Sequence, residues 1–485
     1  MPRRVVKVVA AEDPALMPAQ VALLRDGITL VQQDMELSPQ FSPEVEGTAR
    51  QAAGDPRLPS LDRTDIPFVT LDPVGARDLD QALHIERNGS GFVVHYAIAD
   101  VAAFVTAGDP VDEEANRRGE TLYGADSNIP LHPPVLSEGA ASLLPDTIRP
   151  ALLWTIQVDE EGEGTDVHVE RALVRSRAQL DYEGAQRSLD DGTADDVITL
   201  LAEVGRLRER READRGGVSL PMPEQVVEMN EQGWRLGFRS MSPVERWNAQ
   251  ISLLTGMAAA SLMVYARVGL LRTLPPPDNR DVQRLHRTAR ALKIDWPAEQ
   301  LYPDFIRSLD PARSNHAAMI TACTRLLRGS GYVGFDGEVP ADPQHAALAS
   351  EYAHVTAPLR RLGDRYAGEI CVALCAGEAV PAWVLDRLHQ LPEVLQESGR
   401  RAHRYEAAIL DLVEAGVLTH RVGEKFDAVI VDVDDRDGTR GVVTIQEPAV
   451  EAPVAGSGRL PLGSDVQVEL TRADVEARKV EFTLR

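Results

Sequence analysis

The feature that most restricts the fold lies between Pro67 and Ala99. An apolar run, Pro67-Phe68-Val69-Thr70-Leu71, leads into the segment LDPVGARDLDQAL, where Asp72, Asp78 and Asp80 fall within nine residues. Two further apolar runs follow, Ala82 to Arg87 and Phe92 to Ala99. Asn88-Gly89-Ser90-Gly91 joins them, which is a hairpin signal. One strand therefore delivers Asp72, and the loop after it delivers Asp78 and Asp80. The residues alone leave three readings of such a loop. It is a solvated acidic turn, the nucleophilic aspartate of a phosphatase, or a site for hard divalent cations, which take oxygen ligands and keep several waters. The last would suit phosphodiester hydrolysis, which needs an activated water and neutralised charge.

Elsewhere the chain reads as a mixed α+β protein of several units. Residues 1–58 have weak helical patterning, several prolines and no catalytic signature, and read as an accessory region. Leu200 to Arg215 patterns as a charged, solvated helix stopped by Gly216-Gly217. Ser242-Pro243-Val244-Glu245 has the spacing of a capping box and opens an apolar helix to about Val268. From Gly423 the pattern turns to short strands: Phe426 to Val433, Gly441 to Gln446, Asp465 to Leu470 and Lys479 to Leu484. A small barrel of the OB type is expected over residues 421–485, with Glu447 to Gly463 as a long loop. Cys323, Cys371 and Cys375 are too few and too apolar in context for a disulfide framework or zinc site, and read as core residues. No run of 18 apolar residues occurs, and the start MPRRVVKVVAAEDP lacks a signal-peptide core, so a cytoplasmic protein without membrane contact is expected.

Beyond the aspartate loop, several segments occur in an order that resembles the ribonuclease II and ribonuclease R (RNB) superfamily of 3′→5′ exoribonucleases. The loop itself resembles D-P-x-x-A-x-D-x-D-D-A. HYAIADVAAFV is similar to a strand ending in I-A-D-V, and LYGADSNIPLHPPVLSEGAASLLP to Y-L-P-x-x-x-I-P-M-L-P. VRSRAQLDYEGA resembles S-K-A-K-L-x-Y, HVTAPLRRLGD resembles H-x-T-S-P-I-R-R-Y-x-D, and Arg404-Tyr405-Glu406 falls on a late helix. The resemblance implies a mixed-sheet catalytic domain over residues 59–420 with its site at the bottom of a channel, then an OB-like barrel. It implies a monomer releasing nucleoside 5′-monophosphates from single-stranded RNA with Mg²⁺ or Mn²⁺.

Carried over by position, the resemblance makes Asp72, Asp78 and Asp80 the metal cluster, with Asp80, Asp78 and Arg360 in the chemistry. Tyr123 would stack on bases, Tyr182 would steady the terminal nucleotide, and Arg360, Arg361 and Glu406 would contact RNA. Thr356-Ala357-Pro358 reads as a helix start, which puts Arg360 in a first turn that favours anions. Its alternative is a surface pair with Asp364. His354 reads as a structural histidine.

The sequence also departs from the family. Gln81 stands where the motif has a fourth aspartate, so an amide oxygen is expected in the metal shell and catalysis could be weak. NAQISLLTGMAA replaces a helix with paired glutamates, leaving Ala249 or Gln250 to face the substrate sugar. Residues 1–58 are too few for two cold-shock barrels, so a reduced RNA clamp is expected. The net charge of −24 opposes nucleic-acid binding except through a locally basic channel. Residues 421–485 add 9 Lys and Arg against 13 Asp and Glu, with Phe426 and Phe482 their only aromatics, so the barrel is expected to be mainly structural.

Overall fold

A computed structural model describes residues 8–9, 19–125, 127–230 and 233–485. Part of the expected accessory region, residues 1–7 and 10–18, lies outside them. Two closed five-stranded barrels organise the described residues. The longer strands of the first are β1 (Phe68–Asp72), β2 (Gln81–Asn88), β3 (Gly91–Ala99), β4 (Ile148–Val158) and β5 (Gly164–Asp181). The expected hairpin forms: β2 and β3 pair from Gln81↔Ile98 to Asn88↔Gly91, and Gly89 takes the positive φ of the turn. β3 is buried along its whole length, which explains why its sequence is an apolar run rather than an alternation. The barrel closes by parallel pairing of β5 with β1, setting Asp72 beside Asp181. One end of the barrel thus holds the exit of β1, the entry of β2 and the exit of β5.

The helices are α1 (Ala19–Asp34), α2 (Pro43–Gly54), α3 (Pro110–Arg118), α4 (Tyr182–Asp190), α5 (Asp196–Asp214) and α6 (Pro243–Ala266). They continue with α7 (Asn279–Ala291), α8 (Tyr302–Arg307), α9 (Ser314–Cys323), α10 (Leu362–Ala376), α11 (Ala382–Leu388) and α12 (Leu391–Leu418). Ser242 caps α6 as its spacing predicts: its hydroxyl accepts from the Glu245 N–H and the Glu245 carboxylate accepts from the Ser242 N–H. α6 is long and apolar enough to cross a bilayer, and here it packs against α5 and α10.

The helix expected over 200–215 forms as α5, an amphipathic helix with one face solvated and the other packed into the core. Leu201, Val204 and Arg208 are buried, and Gly205 lies so close to Trp247 that a Cβ there would sit 2.3 Å from it. Its arginines hide this role from composition. Arg208 is 1 % exposed and donates to the Gly162 carbonyl, using a charge inside a helix interface.

A hairpin of β6 (Glu224–Asn230) and β7 (Gly233–Arg239) precedes α6, and β8 (Val268–Thr273) pairs with β9 (Gly331–Asp336). The second barrel consists of β10 (Lys425–Val433), β11 (Arg440–Ile445), β12 (Val450–Ala455), β13 (Asp465–Asp474) and β14 (Lys479–Leu484). Its order is β10-β11-β12-β14-β13, with β12 and β14 parallel, an OB-like barrel. The expected loop 447–463 therefore contains a strand. Val450, Ala452 and Val454 point inward while Glu451, Pro453 and Ala455 do not, a period of two that the prolines and glycines around it obscure. All three cysteines are free; Cys323 and Cys371 are buried and Cys375 is half-buried.

Candidate active site

The aspartate loop is shaped by its own residues. Gly75, at φ +81, lets the Ala76 N–H reach back to the Pro73 carbonyl, and Ser142 fixes the return by accepting from the Leu79 N–H and donating to the Arg77 carbonyl. Asp80 is left 4 % exposed at the entry of β2. Its Oδ1 accepts the Leu359 N–H at 2.8 Å, and its Oδ2 lies 3.4 Å from Arg360 Nε.

Arg360 comes from a turn, not a helix. α10 begins at Leu362, because residues 360–362 bridge to the segment at 119–121: the Thr121 N–H donates to the Arg360 carbonyl and the Leu362 N–H to the Gly119 carbonyl. This pairing brings Tyr123 alongside, with its hydroxyl in hydrogen-bonding contact with the Arg360 guanidinium. The pair with Asp364 is made by Arg361, at 2.7–3.1 Å, and Asp364 also accepts the Ala357 N–H. Arg361 is thereby committed to holding the turn, whereas the resemblance gives it to RNA. His132 supports the turn from below through Nδ1, 3.0 Å from the Leu359 carbonyl, and burial pushes its pKa down to about 4, so the neutral ring donates there.

The parallel β1–β5 pair supplies the other wall. Asp181 caps α4 by accepting the Gly184 N–H, and Tyr182 is the first helical residue. Asn248 of α6 donates to the Tyr182 hydroxyl at 3.2 Å and faces the Leu71 carbonyl at 3.5 Å. The sequence suggested Ala249 or Gln250 for this face. The rotation of α6 turns Gln250 the other way, where its amide donates to Glu212 of α5 at 2.6 Å. Glu406 lies on α12 and is half-buried, next to Tyr405, whose hydroxyl accepts from Gln32. His354 bonds through Nδ1 to the Tyr332 hydroxyl at 2.9 Å, as a structural histidine would.

Gln81 differs from its expected use. Its Oε1 accepts from the Tyr96 hydroxyl at 2.7 Å and its Nε2 donates to the Thr356 carbonyl at 2.6 Å, so both ends of the amide are engaged away from the aspartates. Asn248, Tyr96 and His132 are the neighbours that sequence reasoning missed. A helical wheel anchored on the Ser242 cap carries a signal only for Asn248.

Burial dominates the electrostatics. It raises the pKa of Asp72 to about 7, that of Asp78 above the usual range and that of Asp80 well above it, and Arg360 opposes all three shifts. Asp72 Oδ2 is buried with no hydrogen-bond partner. An orphaned carboxylate oxygen on the loop that also carries half-buried Asp78 and buried Asp80 is a donor set that fits a hard cation. Among the described residues no three acidic, histidine or cysteine side chains form a ready cluster. The fit is therefore to an ion that keeps several waters, not to a closed cage.

Comparison with known proteins places this geometry. The RNB domain family matches residues 61–375, and the RNase II-type exonuclease C-terminal S1 domain family matches residues 424–485. The chain is similar to the exosome complex exonuclease RRP44 homolog A of Arabidopsis thaliana, 27% identical over 462 residues that cover 89% of this chain and 48% of that protein. Ribonuclease R of Escherichia coli is 25% identical over 488 residues, covering 91% of this chain and 59% of that protein. The chain thus spans about half to three-fifths of the length of these relatives. Among solved structures, the RNase R of Mycoplasma genitalium in complex with ribose-methylated single-stranded RNA superposes with a TM-score of 0.83 at 18% identity, over 95% of this chain and 78% of that one. The match to the RNB domain over most of the chain, joined to the aspartate loop and the arginine paired with Asp80, shows that this protein belongs to the RNB superfamily of ribonucleases II and R.

Proposed function

We propose that the chain is a divalent-cation-dependent 3′→5′ exoribonuclease that releases nucleoside 5′-monophosphates from single-stranded RNA. The observation that carries this reading is the pairing of buried Asp80 with Arg360, whose side chain stays accessible, on the same face as the orphaned Asp72 oxygen. A bound Mg²⁺ or Mn²⁺, held by Asp72 with Asp78 and Asp80, would supply an activated water and neutralise charge on the phosphate. The protein's own residues do the rest. Arg360, a permanent cation whose charge Tyr123, Asp80 and Asp78 reinforce, is placed to grip the scissile phosphate as its negative charge grows. Tyr182 and Asn248 form a polar wall at the barrel end that can seat the terminal nucleotide. Water attacks phosphorus, the bond to the 3′-oxygen of the preceding nucleotide breaks, and that oxygen leaves with a proton as the new 3′-hydroxyl. The similarity to RNase R bound to single-stranded RNA supports RNA as the substrate.

A second reading, a weakly active RNA-binding protein, is favoured by Gln81, which adds no charge to the aspartates and whose amide is engaged by Tyr96 and Thr356. One experiment separates the two. A uniformly labelled single strand is incubated with the protein, with and without EDTA, and the products are resolved. Chelator-sensitive mononucleotide release is expected. RNA binding without release would favour the second reading.

A further inference from the structure

Four groups from four parts of the chain form one hydrogen-bonded line behind the aspartates. The Thr356 carbonyl accepts from Gln81 Nε2 at 2.6 Å, Gln81 Oε1 accepts from the Tyr96 hydroxyl at 2.7 Å, and the Tyr96 oxygen lies 2.9 Å from Ser252 Oγ. Because Tyr96 spends its one proton on Gln81, Ser252 must be the donor to Tyr96. The amide orientation is forced as well. A flipped Gln81 would set its oxygen against the Thr356 carbonyl, with no proton between two acceptors. Thr356 and Tyr96 are both buried, so water does not replace these bonds.

The Thr356 carbonyl is the entry to the turn that carries the arginine. One residue on, the Ala357 N–H is held by Asp364; two further, the Leu359 N–H is held by Asp80; then comes Arg360. Both of those anchors are carboxylates that accept. Gln81 supplies the complementary element, a neutral donor for a carbonyl. The family motif has an aspartate here, which is shorter and, when ionised, only accepts, so it would face the Thr356 oxygen with a second acceptor.

We infer that Gln81 is a positioning residue that sets the Arg360 turn through the Thr356 carbonyl, and not a contributor to cation binding. The inference rests on the reading of Arg360 as the phosphate-gripping group. Its consequence is that the substitution of aspartate by glutamine exchanges a site charge for a brace on the arginine.

The test reads the arginine without the metal. Uridine 5′-monophosphate is titrated calorimetrically into the full-length protein in EDTA, for the wild type, Gln81→Met, Gln81→Glu, Arg360→Ala and the Gln81→Met/Arg360→Ala double variant. The buried hydrogen bond to Thr356, which both Gln81 variants lose and which Gln81→Met loses together with the acceptor for Tyr96, predicts at least about tenfold weaker binding for both, and no further loss when Gln81→Met is added to Arg360→Ala. Unchanged binding in Gln81→Met, or full additivity in the double variant, overturns the inference. Amide hydrogen exchange gives a readout independent of any ligand: Leu359 should exchange about tenfold faster in Gln81→Met, with the β3 amides unchanged as a check on folding. Equal exchange at Leu359 also overturns it. If Gln81→Asp lowers the Mn²⁺ dissociation constant while nucleotide binding in EDTA stays at wild-type strength, the side chain belongs to the cation shell and the brace is refuted. Faster Leu359 exchange in a protein that releases no mononucleotide from RNA supports the brace and fails only the exoribonuclease reading.

Discussion

Asp80 is a carboxylate with almost no exposure, and what keeps it in place is one donor, the Leu359 N–H, and the charge of Arg360. Asparagine in its place can still accept from Leu359 but carries no charge for a cation. Asp80→Asn should therefore abolish mononucleotide release while RNA affinity, read by filter binding, stays within a few-fold; a comparable loss of binding would make Asp80 a structural residue. Removing Arg360 should lower kcat by about 10²–10³ with a smaller change in affinity, the scale of one lost transition-state donor. An unchanged kcat would sink its role at the phosphate. Asp72 gives a pH signature. Its folded-state pKa of about 7 exceeds the ordinary 3.8, so the folded metal-free protein binds the extra proton, and stability falls as pH rises through that interval. In EDTA, Asp72→Asn should melt above the wild type at pH 8, with the gap narrowing as pH falls and closing only below the ordinary carboxylate value of 3.8. Parallel melting curves across that range would show that Asp72 is not strained by burial.

At the scale of elements, α5 and α6 show what local pattern can and cannot reveal. The start of α6 was legible because a capping box is a local device written in four adjacent residues, and the β2–β3 hairpin was legible for the same reason. The face that α6 turns to the site was not legible, since the choice between Asn248 and Gln250 is made by α5 through Glu212, nearly forty residues upstream. The loop aspartates could be read by position because one short segment supplies all three. The turn at Arg360 could not, because its partner strand at 119–121 replaces the helical turn that Pro358 suggests. α5 misled for a related reason: Gly205 reads as a weak point in a solvated helix until Trp247 is seen against it. Filling that contact gives a clean check. Gly205→Ala should destabilise the protein by about 1–3 kcal/mol by overpacking, although alanine is the better helix former. A raised melting temperature would mean that α5 can move away from α6.

On the scale of the whole molecule, the second barrel is not an independent bead on the chain. Its inward residues Phe426, Ile430, Val443, Val468 and Leu470 belong to one apolar core with Leu24 and Ile28 of α1, Leu236 of β7, and Ile409 and Val413 of α12. A polar lock sits within that junction. Glu414 of α12 is 2 % exposed, and its Oε1 accepts from Gln225 Nε2 at 2.8 Å and from the Glu451 N–H of β12 at 3.2 Å, while Gln225 also donates to the Ala449 carbonyl. Ion pairs from the α7–α9 side, Arg284 with Asp435 and Arg325 with Asp432, fasten the β10–β11 end. A barrel of about 65 residues that shares its core this way should not melt alone, because unfolding it exposes the flanks of α1 and α12 as well. Calorimetry of the wild type should show the barrel and the α12 junction unfolding in one transition. Glu414→Ala takes one acceptor from the Gln225 amide, which keeps its bond to the Ala449 carbonyl, and leaves that second buried N–H unmet at a cost of about 1–3 kcal/mol. That loss falls on the junction and not on either barrel's interior. The variant should therefore show the second barrel melting earlier, as a separate step several degrees below the main transition. A wild type that already unfolds in two steps, or a Glu414→Ala transition that shifts without splitting, would show that the barrel is not held by this lock.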